Sequence, residues 1–406
     1  MEKAAKQVHV PYGKSVHGEE EIKAVVQVLR TSTQMGPHVA EMERRVAALF
    51  DKPLGLMVNS GSTALYLAAD LLDFPAGTEI ITPVLTFSTT VAPLVKKGWV
   101  PAFVDVEEGT YNMDVSKVEA MITPRTRAMF VPNLIGNLPD WPALRQLAEK
   151  YGLAVVEDSA DTLGATLNGR SSGAFSDIST TSFYGSHVIN CAGNGGMICL
   201  RDEALYRRGK LLRSWGRSSS LFVESEKIEN RFNVEVDGIP YDAKFVFEEP
   251  GYNVEPSEIG AAFGLVQLNK LEENIRRREE NFSFLLHFFK RYEEFFILPR
   301  QLPGSRTGWL AFPLTIRPSA PFSRRDFQIF MEQNGIQTRT VFTGNILRQP
   351  GFKNIACIRA QAGYPEADAV MAGGVLLGCH QGLGEEHLNH ISDTFLAFLE
   401  HKKIPS

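Results

Sequence analysis

His187 is the residue whose type and setting most directly suggest chemistry. It lies in the stretch Ser182-Phe183-Tyr184-Gly185-Ser186-His187, with glycines at positions 193, 195 and 196 just beyond. An imidazole takes up and releases protons near neutral pH, so His187 is a candidate acid and base. It has no primary amine, and no lysine occurs between Tyr151 and Gly209 to supply one nearby. A histidine in a loop is also compatible with a purely structural role.

A turn of small residues is a candidate phosphate site. The turn Asn59-Ser60-Gly61-Ser62-Thr63 precedes the apolar segment Leu65–Leu72, which has the character of a helix. The first N–H groups of a helix are free and lie at the positive end of its dipole, so they can bind a phosphate. Ser62 and Thr63 add hydroxyl donors. The alternative is an ordinary helix cap.

Three more side chains could complete a binding site for a planar cofactor. Asp158 ends an apolar strand, where a carboxylate can pair with a protonated ring nitrogen. Phe87 follows an earlier strand and could stack on a flat ring. Ser182 could donate to a phosphate. Each also has a plain interpretation: a strand-end acid that caps a turn, an aromatic of the core, and a strand-end serine.

The composition restricts the class of protein. The chain has 406 residues, of which 44% are hydrophobic and 22% charged, with a net charge of −5. These values are ordinary for a globular protein and give no reason to expect nucleic acid or a membrane as partner. The N-terminus lacks the apolar segment of a secretory signal, so we expect a cytoplasmic protein. The four cysteines have no metal-ligand spacing, and we expect no metal site.

Short apolar runs alternate with helical patterns over the first half of the chain. Strands are expected at 79–83, 102–106, 128–132 and 153–158, and a helix at 141–151. This order predicts an α/β fold with a mainly parallel sheet covered on both faces. Residues 216–250, here called the arm, form a polar excursion expected near the substrate or a subunit interface. Helices are expected at 257–278, after Ser323, and at 385–401. We predict a large domain, 1–255, and a smaller α+β domain, 256–406.

In their order along the chain, these features resemble the DegT/DnrJ/EryC1/StrS sugar aminotransferases, a branch of the fold type I enzymes that use pyridoxal phosphate (PLP). The resemblance extends from Val10-Pro11-Tyr12 to the last helix, and includes Pro250-Gly251-Tyr252-Asn253. It implies that PLP or its amine form, pyridoxamine phosphate (PMP), is the cofactor. It also implies that Asn253 reaches the cofactor phosphate of a neighbouring subunit, and hence a homodimer. In most of the family a lysine occupies the position of His187 and forms the Schiff base.

A subgroup that shares the histidine is similar in further positions. These are the 3-dehydratases of nucleotide-linked 4-keto-6-deoxyhexoses. The matching residues include Asn137, Asn345 and Asp161, and the last of these replaces the glutamine that aminotransferases usually have. The resemblance implies that the cofactor joins the C4 ketone of the sugar, that His187 moves the proton, and that the C3 hydroxyl leaves. Glutamate would then restore PMP. One type in the subgroup instead uses a separate reductase and an iron–sulfur cluster bound by cysteines after Trp-Gly-Arg.

Serines follow Trp215-Gly216-Arg217 here, and no cysteine lies between Cys199 and Cys357, so we expect no iron–sulfur cluster. Three alternatives to the dehydratase stay open: a nucleotide-sugar aminotransferase, a reductase-dependent dehydrase, and a non-catalytic homologue that binds the cofactor or the sugar. Candidate substrate contacts, each equally compatible with surface or packing roles, are His38, Asn137, Arg217, Arg339, Asn345 and His380.

Overall fold

The computed structural model describes residues 8–222, 224 and 226–404. Its strands are, in chain order, β1 Leu54–Val58, β2 Glu79–Pro83, β3 Val100–Val104, β4 Thr126–Pro132, β5 Ala154–Ser159, β6 Thr166–Leu167, β7 Arg170–Ser171, β8 Ile178–Ser182, β9 Gly196–Leu200, β10 Val234–Val236, β11 Ile239–Tyr241, β12 Phe296–Ile297, β13 Ser305–Arg306, β14 Phe312–Ile316, β15 Thr338–Arg339 and β16 Gly374–Leu377. The α-helices are α1 Glu19–Arg30, α2 Pro37–Leu49, α3 Gly61–Leu72, α4 Ser88–Lys96, α5 Trp141–Tyr151, α6 Glu203–Arg213, α7 Ile228–Arg231, α8 Glu258–Asn269, α9 Leu271–Phe289, α10 Arg324–Gln333, α11 Pro365–Gly373 and α12 Glu385–His401.

A seven-stranded sheet, in the order β1-β9-β8-β5-β4-β2-β3, forms the centre of the molecule. Neighbouring strands are parallel from β8 to β3, and only β9 runs antiparallel to both of its neighbours. The prediction of a mainly parallel α/β sheet is therefore confirmed. Because β4, β5 and β8 run in the same direction, their carboxyl ends meet at one edge, where ligands usually bind in such sheets.

Helices cover both faces of this sheet. The apolar side chains of α3, α4 and α6 pack on one face, and those of α2, α5 and α8 pack on the other. Burial on both faces explains why these strands read as continuous apolar runs in the sequence. The predicted strand at 79–83 and the predicted helix at 141–151 are confirmed with those bounds.

A second, four-stranded sheet, β12-β14-β16-β15, lies in the C-terminal part of the chain. It packs with α9, α10 and α12 around a cluster rich in phenylalanine. The chain's beginning also reaches this region, because Val10 forms a parallel bridge with Ile336. The helix α8 follows the predicted boundary at residue 255, but it packs on α1 and α2, which belong to the predicted first domain. The division into domains 1–255 and 256–406 stays a prediction.

The predicted single helix at 257–278 is wrong. The structure has two helices, α8 and α9, separated at Lys270, whose backbone dihedrals of −100° and 1° leave the helical region. The other two C-terminal helices are confirmed: Ser323 and Asp326 form the capping box of α10, and the last helix is α12. Across the described residues, every helix is either too short or too polar to cross a membrane.

Candidate active site

A cavity of about 440 Å³ opens at the carboxyl ends of β4, β5 and β8. This volume is in the range of sites that bind small molecules. Residues at the amino ends of α3 and α4 line it, together with residues from the N-terminal and C-terminal segments. The lining side chains and glycines include Tyr12, Ser60, Gly61, Ser62, Phe87, Thr89, Thr90, Asp158, Asp161, Ser182, Tyr184, Ser186, His187, Asn194, Leu310 and Phe342.

The start of α3 has the features of an anion site. Ser60 caps the helix by accepting from the Thr63 N–H at 3.1 Å. The N–H groups of Gly61 and Ser62 find no acceptor within the described part of the chain and are free to bind an anion. A Cβ atom on Gly61 would lie 2.5 Å from the Cβ of Ser182, so only glycine allows this close approach. The Thr63 hydroxyl is already bonded to Asn59, at 2.8 Å, and does not line the cavity.

Asp158 is a buried carboxylate that lacks an ionic partner. Its Oδ2 accepts the Thr90 hydroxyl at 2.7 Å, and its Oδ1 accepts the Ala160 N–H at 3.1 Å. No lysine or arginine lines the cavity as far as the structure describes it. Burial therefore raises the pKa of Asp158. A protonated ring nitrogen beside this carboxylate would supply the missing positive charge, so the residues present fit a pyridine cofactor.

Asp161 lies in the turn after β5 and lines the same cavity. Burial raises its pKa to about 7, although the Ile135 N–H, which it accepts at 2.8 Å, acts in the opposite direction. Ile135 has a φ of 59°, an unusual conformation for a β-branched residue, and this conformation allows its N–H to bond to Asp161. Near neutral pH, Asp161 can therefore act as either a donor or an acceptor of a hydrogen bond.

His187 lies in the loop between β8 and β9 and lines the same cavity as the anion site. Its Nδ1 is 3.2 Å from the carbonyl oxygen of Ser182. A carbonyl only accepts, so Nδ1 carries the hydrogen and Nε2 keeps its lone pair. Burial, with a smaller contribution from the positive charge of Arg278, lowers the pKa of His187 to about 4, while the bond to Ser182 acts in the opposite direction. The ring is thus a neutral base near pH 7, and no primary amine accompanies it in the cavity's lining as described.

Phe87 also lies at the cavity and remains half exposed. Its ring meets Phe342 edge-on, with a centroid distance of 5.8 Å and an interplanar angle of 82°. The face of the ring is therefore not covered by Phe342, and Phe87 keeps a surface on which a flat ligand could stack. Its predicted stacking role stays a prediction.

The cavity of a single chain does not include every candidate residue. Asn253 is exposed and forms a backbone bridge to Ser214, outside the cavity. The other outlying side chains have partners of their own: His38 with Glu258, Asn137 with the carbonyls of Thr110 and Arg300, Arg217 with the ring of Trp215, Arg339 with the ring of Tyr12, Asn345 with Asp368, and His380 with the carbonyl of Pro11. Their roles toward a substrate or cofactor stay predictions.

Several lining residues were not predicted as site residues. Thr90 follows Phe87 by three positions at the start of α4, so helix geometry places it on the same side and could have indicated it. Tyr184 belongs to the stretch that contains His187. Tyr12 and Phe342 come from distant parts of the chain, and no local spacing marks them.

Comparisons with known proteins agree with this geometry. The chain is 32% identical to the lipopolysaccharide biosynthesis protein RfbH of Salmonella typhimurium, over 96% of this chain and 91% of the relative. It is similar in structure to the E. coli GDP-4-keto-6-deoxy-D-mannose-3-dehydratase with bound hydrated PLP, with a TM-score of 0.87, 28% identity and coverage of 96% and 100%. A GDP-4-keto-6-deoxymannose-3-dehydratase with a trapped PLP-glutamate geminal diamine matches with a TM-score of 0.85, 27% identity and coverage of 95% and 99%. Residues 15–396 match the DegT/DnrJ/EryC1/StrS aminotransferase family, to which this chain therefore belongs.

Proposed function

We propose that this chain is a PMP-dependent 3-dehydratase that removes the C3 hydroxyl of a nucleotide-linked 4-keto-6-deoxyhexose. One observation carries the proposal: a neutral imidazole, rather than an amine, lines a cavity that also has an anion site and a buried carboxylate in need of a cation. The similarity to 3-dehydratases over nearly the whole chain supports the same reaction.

The residues that would hold the cofactor follow from the site. The free N–H groups at Gly61 and Ser62, with the hydroxyl of Ser182, would bind the phosphate, while Asp158 would pair with the ring nitrogen. Asp161 offers a polar group in the same cavity, and Phe87 offers an aromatic face. When bound, PMP supplies the amine that joins the C4 ketone and a ring that accepts electrons.

His187 would perform the proton transfers. Nε2 has a free lone pair and can take a proton from a carbon beside it. The imidazolium that results can then give a proton to the departing C3 hydroxyl, which leaves as water. Because the described lining of the cavity has no primary amine, the protein does not compete for the carbonyl group of the cofactor. This favours dehydration over the release of an amino sugar.

The amine must be replaced after each turnover that ends in hydrolysis. We propose that L-glutamate supplies it, since a solved 3-dehydratase of similar structure holds a PLP-glutamate adduct. The products would be the 3-deoxy-4-keto sugar nucleotide, ammonia and 2-oxoglutarate. A requirement for a separate reductase, in place of glutamate, would instead point to the alternative dehydrase type.

We also propose that the protein acts as a homodimer in the cytoplasm. The arm presents exposed apolar side chains, which favour burial against a second copy. They are Ile228, Phe232, Ile239, Tyr241, Phe245 and Phe247. Asn253 follows the arm and lies outside the cavity of its own chain, as expected if it serves the neighbour's site. The free cysteines are compatible with a reducing compartment.

The proposal is tested with purified protein, PMP and L-glutamate, offered GDP-, CDP- and dTDP-linked 4-keto-6-deoxyhexoses in turn. We expect mass spectrometry to detect a 3-deoxy product from one of these, with ammonia released in equal amount. His187→Asn should bind the cofactor normally and lose about 10²- to 10⁴-fold in kcat, because it cannot transfer the proton. A stable amino sugar as the product, or cofactor binding without turnover of any nucleotide sugar, would contradict the proposal.

A further inference from the structure

Side chains from outside the loop hold the peptide groups on both sides of His187. The carbonyl of Ser186 accepts from Nη2 of Arg278 at 3.4 Å. The carbonyl of Val188 accepts from Nδ2 of Asn274 at 3.0 Å and from Nε2 of Gln381 at 3.3 Å. Asn274 and Arg278 are four residues apart on α9, so they lie on one face of that helix.

Arg278 is bonded in an unusual way for a buried arginine. It is fully buried, and all its acceptors are neutral. Nε donates to Oε1 of Gln381 at 2.8 Å, and Nη1 donates to the carbonyls of Trp309 and Leu310 at 2.9 and 3.2 Å. Within the described residues no carboxylate pairs with it, and burial lowers its pKa to about 10. A buried charge without a counter-charge is costly, so packing alone does not explain it.

These bonds join three segments around the cavity. The guanidinium connects the loop of His187 to the Trp309–Leu310 segment, and Leu310 itself lines the cavity. Gln381 accepts from Arg278 and donates to Val188, so it extends the same network to the far side of His187. A shift of α9 or loss of one donor would therefore change the position of the imidazole.

We infer that Asn274 and Arg278 are positioning residues for His187: together they fix the loop that aims the imidazole, and the charge of Arg278 adds to burial in opposing protonation of that ring. The inference rests on the proposed function in taking His187 as the proton carrier. Other titratable groups that line the cavity with His187 are Asp158, Asp161, Tyr12 and Tyr184. Ionised carboxylates there would favour the protonated ring, and Arg278 opposes them.

The effect of the Arg278 charge is tested by an NMR titration of His187 in cofactor-free protein with ¹⁵N-labelled histidine. The His187 signal is identified by its absence from the His187→Asn spectrum. Arg278→Met should raise the pKa of His187 above about 4, while burial, the larger cause, still holds it below its ordinary value. Arg278→Lys keeps the charge and should leave the titration close to wild type. Arg277→Met removes an exposed neighbour on the same helix, bonded to Glu273, and should change nothing. An unchanged titration in a folded Arg278→Met protein would overturn the electrostatic part.

The positioning is tested by steady-state kinetics over a range of pH. Asn274→Ala and Arg278→Lys should each lower kcat by about 10- to 100-fold with KM within a factor of about three, because misplacing a catalytic group affects the chemical step. Only Arg278→Met should also move the acid limb of the pH profile upward. Equal kcat in Asn274→Ala and wild type would overturn the positioning role of Asn274. If wild type dehydrates no sugar but the titration responds as expected, the proposed function fails and the electrostatic inference stands.

Discussion

Asp161 places a partly buried acid in the cavity, without a counter-charge among the described residues. Burial raises its pKa to about 7, so the folded state holds this proton more tightly than the unfolded chain does. The contribution to stability is fully present below the ordinary carboxyl pKa of about 4 and is lost as the pH rises through about 7. At alkaline pH the ligand-free protein therefore lacks this contribution to its free energy of unfolding.

Asp161→Asn keeps an acceptor for Ile135 and never ionises. We expect its gain in the free energy of unfolding over wild type to grow by about 3 kcal/mol between pH 5 and pH 8. Urea unfolding of the cofactor-free proteins at both pH values measures this difference. Asp393→Asn, an exposed position on α12, is the control and should show no such growth. A constant gain for Asp161→Asn would mean that the carboxyl titrates normally in the fold.

Thr90 donates a hydrogen bond to Asp158, the second acid of the cavity. Thr90→Val removes the hydroxyl that donates to Asp158 at 2.7 Å, with little change in shape. The ionised form of Asp158 loses a stabilising bond, so its pKa should rise further and its pairing with a cationic ring should weaken. We expect PMP to bind about 5- to 30-fold more weakly, the equivalent of about 1 to 2 kcal/mol. Equilibrium dialysis measures this, and Thr33→Val, at an exposed loop position, should bind as wild type does.

Four of the predicted site residues that line the cavity lie within short segments of the chain. Asp158, Asp161, Ser182 and His187 come from β5, β8 and the loops after them, where a strand end fixes the side of the sheet. Thr63 was predicted from the same kind of argument, but its hydroxyl bonds back to Asn59. Which of several adjacent hydroxyls faces a cavity depends on side-chain rotation, and a sequence pattern does not determine that.

The start of α3 is the element on which anion binding depends. Gly61→Ala would place a methyl group against Ser182, where the Cβ atoms would be 2.5 Å apart. We expect the free energy of unfolding to fall by about 1 to 3 kcal/mol, since overpacking forces the backbone to move. The affinity for PMP should fall with it, because the N–H groups move as well. Gly351→Ala has no atom within 4 Å of its new methyl group and should leave both quantities unchanged. Normal PMP affinity in Gly61→Ala would mean that the cofactor phosphate does not bind at the start of α3.

Two features that the sequence did not predict, β8 and the break between α8 and α9, lack the usual sequence signals. β8 is rich in serine and threonine and does not read as a buried strand. It is nevertheless buried, because its hydroxyls bond to the neighbouring strand: Ser179 donates to Glu157, and Thr181 to the carbonyl of Ser159. The break between α8 and α9 falls at a lysine, without the glycine or proline that usually marks a helix end.

At the scale of the molecule, the cavity combines residues from position 12 to position 342. The parallel sheet and its covering helices were predictable, because alternating strand and helix patterns allow few topologies. The approach of Tyr12 and Phe342 depends on how the chain's two ends pack on that sheet, and no short-range pattern encodes it. Any packing of the arm's exposed apolar side chains against a second copy of the chain would likewise depend on contacts that no short-range pattern encodes.

If the arm binds a second copy, charge on its apolar surface should separate the dimer and weaken both active sites together. Ile239→Glu and Phe232→Glu change side chains that are 63% and 55% exposed in the single chain. We expect light scattering after size exclusion to show a dimer for wild type and monomers for these variants, because a buried charge in an apolar interface is strongly unfavourable. PMP affinity should fall in the monomers, since Asn253 could then no longer reach a neighbour's phosphate. Ile329→Glu changes another exposed apolar side chain, which is 45% exposed on α10, and should remain dimeric. Dimers that persist in both arm variants would place the interface on another surface.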